Sequence, residues 1–72
     1  MPKLPQVSGI DCIAALRRGG FTVDRQSGSH VILIKEQYRV TVPNHHQDLK
    51  PGTLRSIIRQ AGLMVDDFIA LL

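Results

Sequence analysis

Apolar residues change their spacing twice along this chain of 72 residues, and the two changes divide it into helix, sheet and helix. From Ser8 to Gly19 the spacing is helical, with Ile10, Ile13, Ala14 and Leu16 on one stripe and Cys12 beside it. Ser8 followed three residues later by Asp11 reads as a capping box, with an acid in place of the usual Glu or Gln, so the helix should begin there. Arg17 and Arg18 suit the negative end of its dipole, and Gly19-Gly20 stops it. The period then drops to two. Phe21-Thr22-Val23-Asp24-Arg25 alternates as a half-buried strand does, with Phe21 and Val23 on one face. Ser27-Gly28 supplies a turn, and the strand over 29–35 carries Val31-Ile32-Leu33-Ile34, apolar on both faces, which marks the centre of a small antiparallel sheet. Glu36-Gln37 makes a second tight turn into a strand over 38–42 that Pro43 ends. After a polar loop the helical period returns, with Leu54, Ile57, Ile58 and Ala61 inward, Arg55 and Arg59 together on another side, and Pro51 acceptable in the first turn. Gly62 closes this helix. A short last helix over 65–72 follows, with Asp66 and Asp67 at its positive N-terminal end.

This order predicts an α+β fold of two layers, α-β-β-β-α with a short C-terminal helix, in which helices cover one face of a three-stranded antiparallel sheet. Residues 1–72 are expected to form one domain, since a chain this short buries only roughly 60% of its unfolded surface and must use every apolar face. With even-numbered connections, Arg25 should stand opposite His30 and Arg39 opposite Ile34; an odd loop would reverse the faces.

Charge adds a partner class. The formal charge of +3 and pI near 9.6 come from nine Lys and Arg against six acids. Most of the cations occupy the middle of the chain, while the last stretch holds only Asp66 and Asp67. That footprint suits a phosphate backbone, although a basic surface can serve solubility alone. No run is long and apolar enough for a membrane span, and the start Met1-Pro2-Lys3-Leu4-Pro5 lacks a signal-peptide core, so a cytoplasmic protein is expected. The lone Cys12 forms no internal disulfide and fits buried helix packing.

Candidate chemistry centres on Gln26-Ser27-Gly28-Ser29-His30. A turn there delivers an imidazole, the side chain that titrates nearest neutrality, onto the first position of an apolar strand among basic neighbours. A strand-end histidine satisfied by a backbone carbonyl is the competing reading. His45 and His46 lie in the polar loop, where exposed loop histidines fit better than metal ligands, because a metal site needs three or four ligands at defined geometry.

Taken together, Gly20-Phe21, Arg25-Gln26, Gly28-Ser29-His30, Val42-Pro43 with His45-His46, and Gly52-Thr53-Leu54-Arg55-Ser56-Ile57-Ile58-Arg59-Gln60-Ala61-Gly62-Leu63 resemble the HicA toxins of type II toxin-antitoxin systems. Those are small mRNA interferases with a fold like a double-stranded-RNA-binding domain. The resemblance spans nearly the whole length. It implies that His30 is catalytic, that the substrate is mRNA and that a HicB-type antitoxin silences the protein; separately, no cofactor or metal is expected. Met64 departs from the family, which often has Ser or Thr there, and this should weaken the cap of the last helix by roughly 1 kcal/mol.

An RNA cut made without a metal can use the neighbouring 2′-hydroxyl as nucleophile. His30 would move the proton, with Arg25 first and Ser29 second as supports for the developing charge, and with His45 or His46 as candidates for a second proton carrier. Lys50, Arg55 and Arg59 would hold the RNA backbone. Few aromatic residues are free to stack on bases, which predicts weak sequence preference. The alternative function is a non-catalytic double-stranded-RNA-binding module, and a third is a protein-interaction subunit whose sheet face docks a partner.

Overall fold

The computed structural model describes residues 3–72 and forms the elements in the expected order. They are α1 (Gly9–Arg18), β1 (Thr22–Ser27), β2 (His30–Lys35), β3 (Tyr38–Pro43), α2 (Pro51–Gln60) and α3 (Val65–Ala70). The Ser8 hydroxyl accepts the Asp11 N–H at 3.0 Å, so half of the anticipated capping box forms at the start of α1. At the other end the Lys35 ammonium donates to the Gly19 carbonyl at 2.7 Å and lies 6.0 Å from the centre of the Phe21 ring, which ties the end of β2 to the end of α1. The buried seam of α1 runs through Cys12, Ala15 and Leu16, with Ile10 and Ile13 only half-buried. The stripe is therefore rotated from the expected one, because Gly9 and Cys12 face the sheet directly.

The sheet is antiparallel throughout with order β1-β2-β3, so the doubly apolar strand is central as its pattern requires. Its two hairpins are tight. Gly28 and Ser29 turn β1 into β2, with Gly28 at φ 59°, a conformation an L-residue adopts only at some cost. Glu36-Gln37 turns β2 into β3 and takes Glu36 to φ 54°.

Both helices that pack on the sheet do so through β3, and the core lies between them and one face of β2 and β3. Val31, Leu33, Val40 and Val42 point into it, meeting Cys12, Leu16, Leu54, Ile57, Ile58 and Phe68. Each large side chain so buried contributes about 1.5–3 kcal/mol. Strand β1 departs from expectation. It is exposed at every position, with Val23 at 46%, because the helices stop short of it and it overhangs as an edge. A β-bulge between Val23 and Arg25, together with Asp24 and Arg25 themselves, makes that edge a poor template for further pairing.

Burial of Cys12 pushes its thiol up to about 12, so it stays protonated and acts as a small apolar group in the core. At α3 the Met64 side chain caps nothing, but its backbone N–H donates to the Asp67 carboxylate at 3.0 Å, which supplies a bond that the missing Ser or Thr does not affect. Arg18 reaches across at 2.5 Å to the Leu71 carbonyl and anchors the far end of the same helix.

Two glycines separate packing from propensity. A Cβ on Gly9 would overlap the Pro43 carbonyl, which is backbone and cannot step aside, whereas one on Gly52 would meet nothing within 4 Å. Gly9→Ala should therefore lose about 1–3 kcal/mol in urea unfolding. Gly52→Ala should gain up to about 1 kcal/mol from helix propensity.

Candidate functional site

His30 is the first residue of β2 and pairs with Ser27 on one side and Pro43 on the other. Residues paired across antiparallel strands share a face, and side chains alternate along each strand. His30, Ile32 and Ile34 therefore lie on the face opposite the buried Val31 and Leu33. Among the described residues no helix covers that face. His30 is exposed there, and not set in hydrophobic surroundings as its neighbours in sequence suggest; Ile32 and Ile34 are half-buried beside it.

Arg25 does not stand opposite His30. The turn consumes only Gly28 and Ser29, so Ser27 takes that place and Arg25 pairs with Ile32. The connection is still even-numbered, and the parity argument holds: Arg25 and His30 share the open face as diagonal neighbours, about 7–8 Å apart between backbones, within reach of a long side chain. Arg39 is opposite Ile34 as expected. Its guanidinium is 3.5 Å from the Asp24 carboxylate across β2, an exposed pair worth at most about 1 kcal/mol. Arg25 has no such acidic partner among the described residues. It is thus the cation on this face most available to an anion.

Ser29 lies in the turn, one residue before the strand, and its carbonyl accepts the Asn44 N–H at 2.6 Å. That bond extends the β2–β3 pairing by one step and fixes the start of the next loop beside His30. Its hydroxyl is exposed and makes no hydrogen bond in the structure among the described residues.

Lys50 precedes α2 as its N-cap residue and is exposed, and Arg55 and Arg59 are exposed on the flank of the same helix. They belong to the helix layer. The sheet separates them from Arg25 and His30, so the site residues fall into two groups on different sides of the molecule, and only the loop between β3 and α2 runs from one to the other.

That loop holds the feature the sequence reading missed. His46 is exposed as expected, but His45 is half-buried: its carbonyl accepts the Ile10 N–H at 3.2 Å, and its Nδ1 is buried with no hydrogen-bond partner among the described residues. Farther along, the Leu49 N–H donates to the Val7 carbonyl at 2.8 Å, and Ser8 and Asp48 form a β-bridge. Between these anchors and the start of α2 opens a cleft of about 340 Å³ lined by Pro43, His45, Gln47, Asp48, Leu49, Lys50 and Thr53. All of its walls come from residues 43–53, and the contacts of that loop with α1 and the segment before it hold them in place. Among the described residues no three His, Cys, Asp or Glu side chains gather as metal ligands, and no helix is long and apolar enough to cross a membrane.

A family model described as "HicA toxin of bacterial toxin-antitoxin" matches residues 9–63, which contain the sheet, α2 and every site residue discussed above. No curated protein matches the chain.

Because neither His30 nor Arg25 supports the core, replacing either should leave the fold intact. His30→Ala and Arg25→Ala are expected to stay within about 0.5 kcal/mol of the parent in urea unfolding, with unchanged circular dichroism.

Proposed function

The chain belongs to the HicA toxin family of bacterial toxin-antitoxin systems, and on that premise we propose that it is an endoribonuclease that cuts mRNA without a metal and is silenced by a HicB-type antitoxin. The observation that carries this reading is an exposed histidine at the start of the central strand, on an uncovered face, with an arginine that has no acidic partner among the described residues one diagonal step away. Exposure matters because a phosphodiester must reach the imidazole from solvent.

In the proposed reaction, neutral His30 takes the proton from the 2′-hydroxyl. The 2′-oxygen then attacks the adjacent phosphorus, a new O–P bond closes a 2′,3′-cyclic phosphate, and the bond to the 5′-oxygen breaks. The leaving oxygen takes up a proton and departs as a 5′-hydroxyl. DNA has no 2′-hydroxyl and cannot follow this route. Arg25 offsets the negative charge that builds on the phosphoryl oxygens as the new bond forms. Ser29, whose hydroxyl has no partner among the described residues, would donate a further hydrogen bond as the weaker support.

Lys50, Arg55 and Arg59 hold the RNA backbone, the two arginines on the flank of α2 away from the cut and Lys50 at the end of the loop that leads back to it. Each contact of this kind is indifferent to sequence and releases bound counterions. An antitoxin that silences the site must cover the open sheet face, where acidic groups would find Arg25 free and where Ile32 and Ile34 offer apolar contact.

His30→Ala should lower the cleavage rate of a defined mRNA by about 10²- to 10⁴-fold, with the parent protein equally active in excess EDTA. A folded His30→Ala protein that cleaves like the parent would overturn the assignment and leave a non-catalytic duplex-RNA-binding module as the better account. Arg55→Ala and Arg59→Ala should each weaken binding to uncleavable single-stranded RNA and reduce the slope of log affinity against log salt by about 0.7. Filter binding at four salt concentrations checks this.

A further inference from the structure

We propose that the cleft between the β3–α2 loop and the start of α2 is a base-binding subsite, which takes one unstacked RNA base next to the scissile phosphate and so gives the enzyme a sequence preference. This rests on the endoribonuclease reading above and adds to it a specificity-determining pocket.

Position is the first argument. Pro43, one wall of the cleft, is the strand partner of His30, and Asn44 is bonded to Ser29 at the neighbouring step. A strand with its scissile phosphate at His30 therefore passes the mouth of the cleft within a nucleotide or so. The second argument is that the walls are fixed before any ligand arrives. The loop is held by the Ile10–His45 and Leu49–Val7 backbone bonds and by the Ser8–Asp48 bridge, so little ordering is required on binding.

Chemistry then selects the occupant. At about 340 Å³ the cleft is at the small end of ligand sites, which run from roughly 300 to 1,000 Å³. Pro43 and Leu49 give it apolar walls and His45 an imidazole ring, while Gln47, Asp48 and Thr53 bring hydrogen-bonding groups to its edge. Asp48 decides between a base and a phosphate. Its carboxylate would repel an anion, but it accepts from the amino and ring N–H groups of a base. Lys50 supplies the charge for the phosphate attached to that base. The chain's phenylalanines and tyrosine do not serve: Phe21 and Phe68 are buried in the core, and Tyr38 lies against Gly62, while His46 is exposed and outside the cleft lining. If RNA bases are held by stacking near His30, the imidazole of His45 is the fixed ring available.

The test uses the full-length protein and 2′-O-methyl octanucleotides, which lack the attacking hydroxyl and stay intact whether or not the protein is a nuclease. Four octamers differ only in one central base, and binding is followed by NMR of the backbone amides. The expected result is a spread of at least threefold in affinity among the four, with the largest shifts at residues 45, 47, 48 and 53, and a collapse of that spread in Asp48→Asn. Equal affinity for all four octamers, or shifts confined to Arg55 and Arg59 and absent from the cleft, would overturn the proposal. Competition by inorganic phosphate that fully displaces the cleft shifts would also overturn it, showing an anion site. Asp48 is exposed and its replacement isosteric, so the variant folds. Failure of the nuclease reading would appear separately, as cleavage unaffected by His30→Ala.

Discussion

The start of α1 comes so close to the end of β3 that residue 9 can carry no side chain, and much of the site follows from that approach. Gly9 lies against the Pro43 carbonyl and Ile10 donates to His45, so the helix that seals the core also clamps the loop beside His30. Were the helix set back by the width of a methyl group, the loop that lines the cleft would lose its Ile10 anchor. Packing here thus defines geometry as well as stability.

The second organising fact is that the sheet is buried on one side only. Helices meet β2 and β3 through a single face, which leaves His30, Arg25 and Arg39 on the other with two half-buried isoleucines. For a 72-residue chain, this one-sided burial is close to what its apolar content allows. It also suits the proposed function, since a site for RNA would need an open approach and a silencing partner a surface to cover. The basic flank of α2 and the open sheet face are separate surfaces, and the β3–α2 loop is what joins them.

Sequence patterning was most informative where one face is uniformly buried. The inward residues of α2, the central position of β2 and the capping hydroxyl of Ser8 follow from spacing and side-chain chemistry, and all appear as expected. It was less informative for α1, where Ile10 and Ile13 look like core residues but yield the seam to Cys12 and Ala15, and for β1, whose alternation suggested a half-buried strand. In both cases a hydrophobic pattern shows that a face exists and not what lies across from it.

The amino-acid sequence by itself determined the element order, the tight hairpins, the cationic character and the family, because these depend on local periodicity, turn chemistry and motif spacing. Tertiary structure decided the rest. A turn of two residues put Ser27 and not Arg25 opposite His30, the absence of any helix over the far face exposed that histidine, and a contact between α1 and a distant loop half-buried His45 and shaped the cleft. The uncovered face and the burial of His45 depend on residues far apart in the chain, and the register at His30 on a loop length that alternation alone leaves open.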